Sequence, residues 1–190
     1  MGYEMSLGTY FDALYQITLR ISSSLDVNEV LAYLTEEAAK AVGAKASAVR
    51  LLDPDGQHLE MRAVYGLSED YLNKGPVEVA RSPVDRNILE GQATQLPDVT
   101  HDANFQYPEE ARREGIVSVA SVPLIAHGRP IGVLRVYSGQ RRTYGDDDMR
   151  FLVATADLAA LAIDNARLYD RMKQNYEETM NTLWGDEPIA

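Results

Sequence analysis

The stretch DVTHDANFQY, residues 98–107, brings together Asp98, His101, Asp102, Asn104 and Tyr107. A histidine between two carboxylates has the composition of an acid–base centre or a metal site. The same residues also make an ordinary solvated turn, because Asp and Asn side chains bond to backbone two residues further on. A catalytic reading needs an activated nucleophile or a second, paired base, and the sequence supplies neither. It has no cysteine, which removes thiolate nucleophiles, thiolate metal sites and disulfides. The other histidines, His58 and His127, fall beside turns, where exposure is the ordinary outcome. No catalytic residue and no metal site is therefore expected, and His101 stands as a candidate for ligand contact together with Asp98, Asn104 and Tyr107.

A second group lies in IVSVASVPLIAHGRPIGVLRVYS, residues 116–138. Two apolar runs flank His127-Gly128, which is a hairpin pattern. A turn centred there sets Ile125 opposite Pro130 and Ala120 opposite Arg135, and opposed residues share a sheet face. One face then carries Leu124, Val122, Ala120 and Ser118 with Ile131, Val133, Arg135 and Tyr137. The other carries Ile125, Pro123, Ser121, Val119 and Val117 with Gly132, Leu134 and Val136, and Gly132 would admit a helix there. The first face ends in Ser118, Arg135 and Tyr137, which suits a cavity with a few polar groups. A buried arginine needs a partner, either an acid of the chain or an anionic ligand. The plainer of these is a neighbouring Asp or Glu.

These groups must be positioned by the elements around them. Leu7, Tyr10, Leu14, Ile17 and Ile21 recur at helical spacing, and Asp26 with Glu29 makes a capping-box pattern for the next helix. ASAVRLLD, the PDG turn and HLEMRAVYG read as a strand hairpin. Breakers at Gly75, Pro76, Pro83, Gly91 and Pro97 divide the middle of the chain into short pieces, with Pro97 marking an edge strand. In YPEEARREG, Pro108 opens a short helix, acids precede bases, and Gly115 stops it. Its charges thus have a structural reason. A final helix runs from Gly145 to about Leu183, with Phe151, Leu158, Leu161, Leu168 and Met172 as its apolar face. Two antiparallel hairpins with helices clustered at the ends argue an α+β domain, its terminal helices on one sheet face and its middle segments on the other.

The sequence has 190 residues and a net charge of −11. An acidic surface repels phosphate backbones, so nucleic acid is not an expected partner. No run approaches the length needed to span a membrane, and MGYEMSLGTYFDAL lacks the basic and apolar regions of a secretory leader. A cytoplasmic location is the expectation.

The ordered set of AVGAKASAVRLLDPDG, Val122-Pro123-Leu124, Ile131-Gly132-Val133-Leu134, the acidic helix start Asp146–Asp148 and Phe151-Leu152 resembles a GAF domain. The resemblance covers about Leu25 to Tyr169. It implies an antiparallel sheet of about five to six strands, a helical bundle behind it and a ligand cavity in front. It divides the chain into an N-terminal signalling helix (1–24), the GAF domain (25–169) and a C-terminal helical extension (170–190). It also implies a small-molecule sensor, or a dimerisation module without a ligand, in bacterial signalling. The cyclic-nucleotide motif is absent, because Asn73-Lys74 runs into Gly75-Pro76. Covalent bilin attachment and methionine sulfoxide reductase chemistry both need cysteines the chain lacks, and haem is not expected. A homodimer is expected through Leu14, Ile17 and Ile21 of the first helix and Leu158, Leu161, Asn165, Leu168 and Met172 of the last, with Asn165 able to fix register. The last helix would lead to a downstream signalling domain or protein.

Overall fold

His127 and Gly128 both take left-handed backbone, with φ of 51° and 72°. This is the two-residue turn whose twist matches the strands it joins. It closes β5 (Ser118–Ala126) onto β6 (Arg129–Ser138) as antiparallel neighbours. β1 (Ala46–Leu52) and β2 (His58–Tyr65) form the other hairpin. β1 also pairs with β6, which fuses the hairpins into one sheet. Short edge strands β3 (Val77–Glu78) and β4 (Thr94–Leu96) complete an antiparallel six-stranded order β3-β2-β1-β6-β5-β4. The computed structural model describes residues 7–102 and 104–184.

One face of this sheet is covered by α1 (Leu7–Ser23), α2 (Val27–Ala41) and α6 (Asp146–Trp184). α2 is capped by Asp26, whose carboxylate accepts from Asn28 N–H at 2.8 Å. Glu29 takes the Ser24 hydroxyl at 3.1 Å, so its carboxylate supports the entry to the helix through a side chain. Leu31, Leu34, Ala38 and Val42 then pack on Val49, Val122, Leu134 and Val136 of the sheet. The stripe of α6 that reaches this core is Phe151, Leu152, Ala156, Ala159, Ala160 and Ile163. Its alanines let the helix lie close, and Leu158 is only partly buried beside them. Leu161, Leu168 and Met172 turn outward, at 50%, 44% and 71% exposure. From Ala156 to Ala160 the packed face of α6 is thus made of small side chains, between Phe151-Leu152 and Ile163, while Leu161, Leu168 and Met172 mark the outer face.

The other face carries α3 (Glu69–Leu72), a 3-10 turn (Val79–Arg81), α4 (Pro83–Leu89) and α5 (Pro108–Glu114). Ser82 caps α4, Pro83 occupies its first turn, and Gly115 ends α5 in left-handed backbone at φ 71°. Arg112, three residues after Glu109, holds its carboxylate at 3.0 Å.

The register of β5 on β6 corrects the expected faces. Ile125 does lie opposite Pro130, but Leu124 lies opposite Gly132, so Ile131 is an extra residue on β6. Pro130 has no N–H to give the ladder, which makes this a natural place for a bulge. Beyond it every residue of β5 has moved by one. Ser121, not Ala120, faces Arg135, and Val119 faces Tyr137. Ala120, Val122 and Leu124 join the helical core instead. Ser118 therefore leaves the predicted cavity face. It lies opposite Ser138, and its hydroxyl donates to the Gln140 carbonyl at 2.8 Å. On β6 the expectation stands beyond the bulge, since Leu134 and Val136 pack with the helices while Arg135 and Tyr137 face away from them, but Ile131 packs against the helical core instead of the cavity face.

Gly132 serves strand contact, not helix contact. A Cβ there would lie 2.2 Å from the Arg50 carbonyl oxygen and 2.9 Å from a Leu51 methyl. Gly132→Ala is expected to lower stability by about 1–3 kcal/mol, as overpacking in a tight site does. Urea unfolding checks this, and an unchanged midpoint would contradict the close approach of β1 and β6.

Candidate ligand pocket

The sheet face away from the long helices holds two buried guanidiniums. Arg50 stands on β1 beside Ala46 and Ala48, which share this face, and Arg135 stands on β6. Each is 3% exposed. Arg135 is fully matched: Nη2 donates to Asp85 Oδ1 at 2.7 Å and Nε to Ser121 Oγ at 2.6 Å. Asp85 is itself buried, and its other oxygen accepts from Ser82 Oγ at 2.6 Å. Pro83 starts α4 so that Asp85 falls in the first turn, where the helix dipole favours a carboxylate. The Phe105 ring lies 5.7 Å from the Arg135 guanidinium carbon. The plainer reading of Arg135 is therefore the one found, with an acid of the chain as its partner.

Arg50 is matched differently. Its one hydrogen bond among the described residues runs from Nη1 to the Tyr137 hydroxyl, at 2.7 Å. Tyr137 is fully buried, and Tyr71 of α3 meets its ring edge-on at 6.1 Å. The roof comes from the loop after α3 and from residues 105–107. Lys74 reaches under this roof, its ammonium 4.6 Å from the Tyr71 ring centre and 4.8 Å from that of Tyr107. Tyr107 is held by its hydroxyl donating to the Pro76 carbonyl at 2.8 Å. Gln106 ties the roof to the edge strand by accepting the Glu78 N–H at 3.0 Å.

Together Arg50, Tyr71, Lys74, Asp85, Phe105, Tyr107 and Arg135 enclose a cavity of about 10 Å³, about the space of one water. Burial, then the Arg50 and Arg135 charges, lower the Lys74 pKa to about 7. Burial also raises the phenols of Tyr71 and Tyr107 above their ordinary value. The pocket thus holds three basic side chains and one carboxylate, and that carboxylate is committed to Arg135.

Of the residues singled out from sequence, Arg135 and Tyr107 line this cavity, and Tyr137 stands behind it as the hydrogen-bond partner of Arg50. Asp98, His101 and Asn104 stay outside the lining. Asp98 accepts from Thr100 Oγ1 at 2.6 Å and from its N–H at 3.0 Å, and these bonds lower its pKa. His101 is exposed, and the exposed Asn104 donates its N–H to Asp102. They form the solvated turn that their composition also allowed. His58 pairs with Asp53 and His127 with Asp164, at 2.8 and 2.9 Å. Asp53, Asp55 and His58 lie close enough to share an ion, but Asp53 already accepts the backbone N–H groups of Gln57 and His58. Arg50, Lys74 and Asp85 were missed. Arg50 is the one charge inside an otherwise apolar strand, and that was the signal available for it.

An antiparallel sheet with a helical layer on one face and short helices and loops on the other defines an α+β domain. The GAF domain family model matches residues 24–164, and the chain belongs to that family. Its fold is similar to the GAF domain of a phosphoenolpyruvate-protein phosphotransferase from Coxiella burnetii, at 18% identity and a TM-score of 0.76, over 86% of this chain and 97% of that one. It is also similar to a free methionine-R-sulfoxide reductase from Neisseria meningitidis, at 19% identity and TM-score 0.71, over 89% and 98%. A methyl-accepting chemotaxis protein segment, residues 122 to 287, matches at 25% identity and TM-score 0.67, over 81% and 98%.

The matching of Arg135 has a measurable consequence. Asp85→Ala leaves a buried, uncompensated guanidinium and is expected to cost about 3–5 kcal/mol. The double variant Asp85→Leu with Arg135→Met is expected to recover most of that loss. Chemical denaturation of the two proteins decides it, and a double variant no more stable than Asp85→Ala would contradict the pairing.

Proposed function

We propose that this chain is a non-catalytic cytoplasmic sensory module of a signalling system. Its pocket binds a small molecule, and its terminal helices relay the bound state within a homodimer. The observation that carries the reading is the polar pocket itself. A roof that served only to cover the sheet would be apolar, whereas this one lies over the buried Arg50 and the half-buried Lys74, which line one small pocket. The strands that form its floor also form the back of the helical layer, because Arg135 alternates with Leu134 and Val136 along β6. A change in the pocket therefore acts on the same strands that α6 rests on.

The homodimer has its own support. α6 has 39 residues, about 58 Å of helix, and its side chains from Arg167 to Met180 are exposed. The interface expected from sequence needs revision on two points. Ile17 is fully buried in its own domain, and Leu14, Ile21 and Leu158 are partly buried against the same core. On α1 the outward apolar residues are Leu7, Phe11, Tyr15 and Leu19, four apart, at 72%, 69%, 53% and 44% exposure. With Leu161, Leu168 and Met172 of α6 they offer a second pair of stripes for a four-helix arrangement. Asn165 lies exposed between the α6 residues, where it could meet its symmetry mate and set register. The acidic charge disfavours a nucleic-acid partner, and no helix among the described residues is long and apolar enough to cross a membrane. A downstream signalling domain or protein would receive the α6 end.

A ligand-free dimerisation module is the second reading, and the small size of the cavity, about 10 Å³, favours it. Native mass spectrometry of gently purified protein separates the two. The sensory reading expects a dimer that carries a small molecule, and a dimer with none retained under any mild condition would favour the second. Sedimentation equilibrium tests assembly on its own. The protein is expected to be a dimer at micromolar concentration, and Leu168→Glu with Met172→Glu is expected to give monomer. A monomeric parent protein would remove the relay.

A further inference from the structure

Electrostatic matching of the pocket narrows what it would accept, on the footing of the sensory reading above. Asp85 bonds Arg135 and Ser82 and makes no hydrogen bond to Arg50 or Lys74, on which its charge acts only from a distance. Arg50 is buried against a neutral phenol, and no ion pair among the described residues involves it or Lys74. Burying a cation without a counter-charge is costly, and native structures ordinarily supply the partner. Here a buried guanidinium on the β1 strand and a half-buried ammonium on the loop after α3 line one cavity.

We propose that the pocket recognises a small carboxylate-bearing molecule, with the carboxylate seated between the Arg50 guanidinium and the Lys74 ammonium. A guanidinium edge fits the two oxygens of a carboxylate with parallel hydrogen bonds. The aromatic walls of Tyr71, Phe105 and Tyr107 suit a singly charged anion better than a phosphate dianion, whose desolvation costs more. Size restricts the choice further. The closed cavity holds about 10 Å³, so the remainder of the ligand must take the space now filled by the Lys74 stem or lift the Gln106–Tyr107 roof. Lys74 thus closes the empty pocket and becomes a ligand contact in the filled one.

Binding is also linked to a proton. The groups that act on Lys74 are Arg50 on β1, Arg135 on β6, Asp85 on α4 and Glu110 on α5, with the phenols of Tyr71 and Tyr107 against its ammonium. Burial and the two guanidiniums hold its pKa at about 7 in the empty pocket. A carboxylate beside it opposes that effect, so binding raises the pKa and takes up a proton. Affinity should therefore fall as pH rises above about 7.

The test is calorimetric titration of the full chain with acetate, succinate, inorganic phosphate and the neutral isostere acetamide, at constant ionic strength. Titrations at about pH 6 and about pH 8.5 bracket the Lys74 transition. The expected result is saturable binding of a carboxylate, tighter at the lower pH, with acetamide and phosphate weaker. Arg50→Gln and Lys74→Met should each weaken it about tenfold or more, as loss of a charge-assisted hydrogen bond does. The exposed Arg129→Gln variant should leave it unchanged. Lys74→Met should also abolish the pH dependence, and it keeps the test decisive if Arg50→Gln does not fold. Equal binding of acetamide, preferential binding of phosphate, absence of saturable carboxylate binding, or carboxylate binding untouched by either variant would overturn the proposal. A neutral molecule co-purifying in the pocket would sink the carboxylate assignment and leave the sensory reading standing. A ligand-free dimer that binds none of the four probes would sink both.

Discussion

Two guanidiniums stand on one face of the sheet, and one carboxylate comes down to meet them. Most of the middle of the chain is arranged around that imbalance. Asp85 can reach Arg135 because Ser82 and Pro83 start α4 at the right place, and because Asp85 itself is satisfied by the Ser82 hydroxyl. Among the described residues Arg50 bonds only the Tyr137 hydroxyl, and Tyr137 is fixed by its complete burial beside Tyr71. A low-dielectric site makes such a charge expensive when unmatched and strongly attractive to an anion. The same groups that destabilise the empty pocket would therefore select its occupant.

The opposite face is organised by size instead of charge. Alanines at 156, 159 and 160 let α6 lie against the sheet, and Gly132 lets β6 lie against β1. These close approaches couple the layers. Arg50 contributes its side chain to the pocket and its carbonyl to the contact over Gly132. Displacement of β1 at the pocket would therefore be felt in the β1–β6 pairing and, through it, under α6. The exposed length of α6 gives such a displacement a lever.

Much of this could be read in the sequence, and the failures have definite causes. The hairpins were legible because Pro54, Asp55 and Gly56, and then His127 and Gly128, are turn formers between apolar runs. The caps at Asp26 and Gly115 were legible for the same local reason. The faces of β6 beyond Ile131 were right, while Ile131 and the residues of β5 were assigned to the wrong face, because a bulge at Ile131 shifts the pairing and leaves no trace in alternation. The packed stripe of α6 was misjudged because large apolar residues were weighed above alanine, although close packing rewards the small ones. Tyr107, Arg135 and Tyr137 were found, whereas Lys74 and Asp85 sit in short pieces broken by Gly and Pro, where periodicity gives no orientation. Asp98, His101 and Asn104 have the residue types of a site but bond locally, and composition alone does not separate those cases.

The central claim is that Arg50 and Lys74 are held ready for an anion the chain does not supply. A crystal structure of the protein, purified without ligand exchange and then soaked in a small carboxylate, tests it most directly. The account predicts a carboxylate with oxygens about 3 Å from both the Arg50 guanidinium and the Lys74 ammonium, under a shifted Gln106–Tyr107 roof. A structure in which Lys74 instead pairs with Glu110, and Arg50 meets only Tyr137 and water at saturating carboxylate, would contradict it.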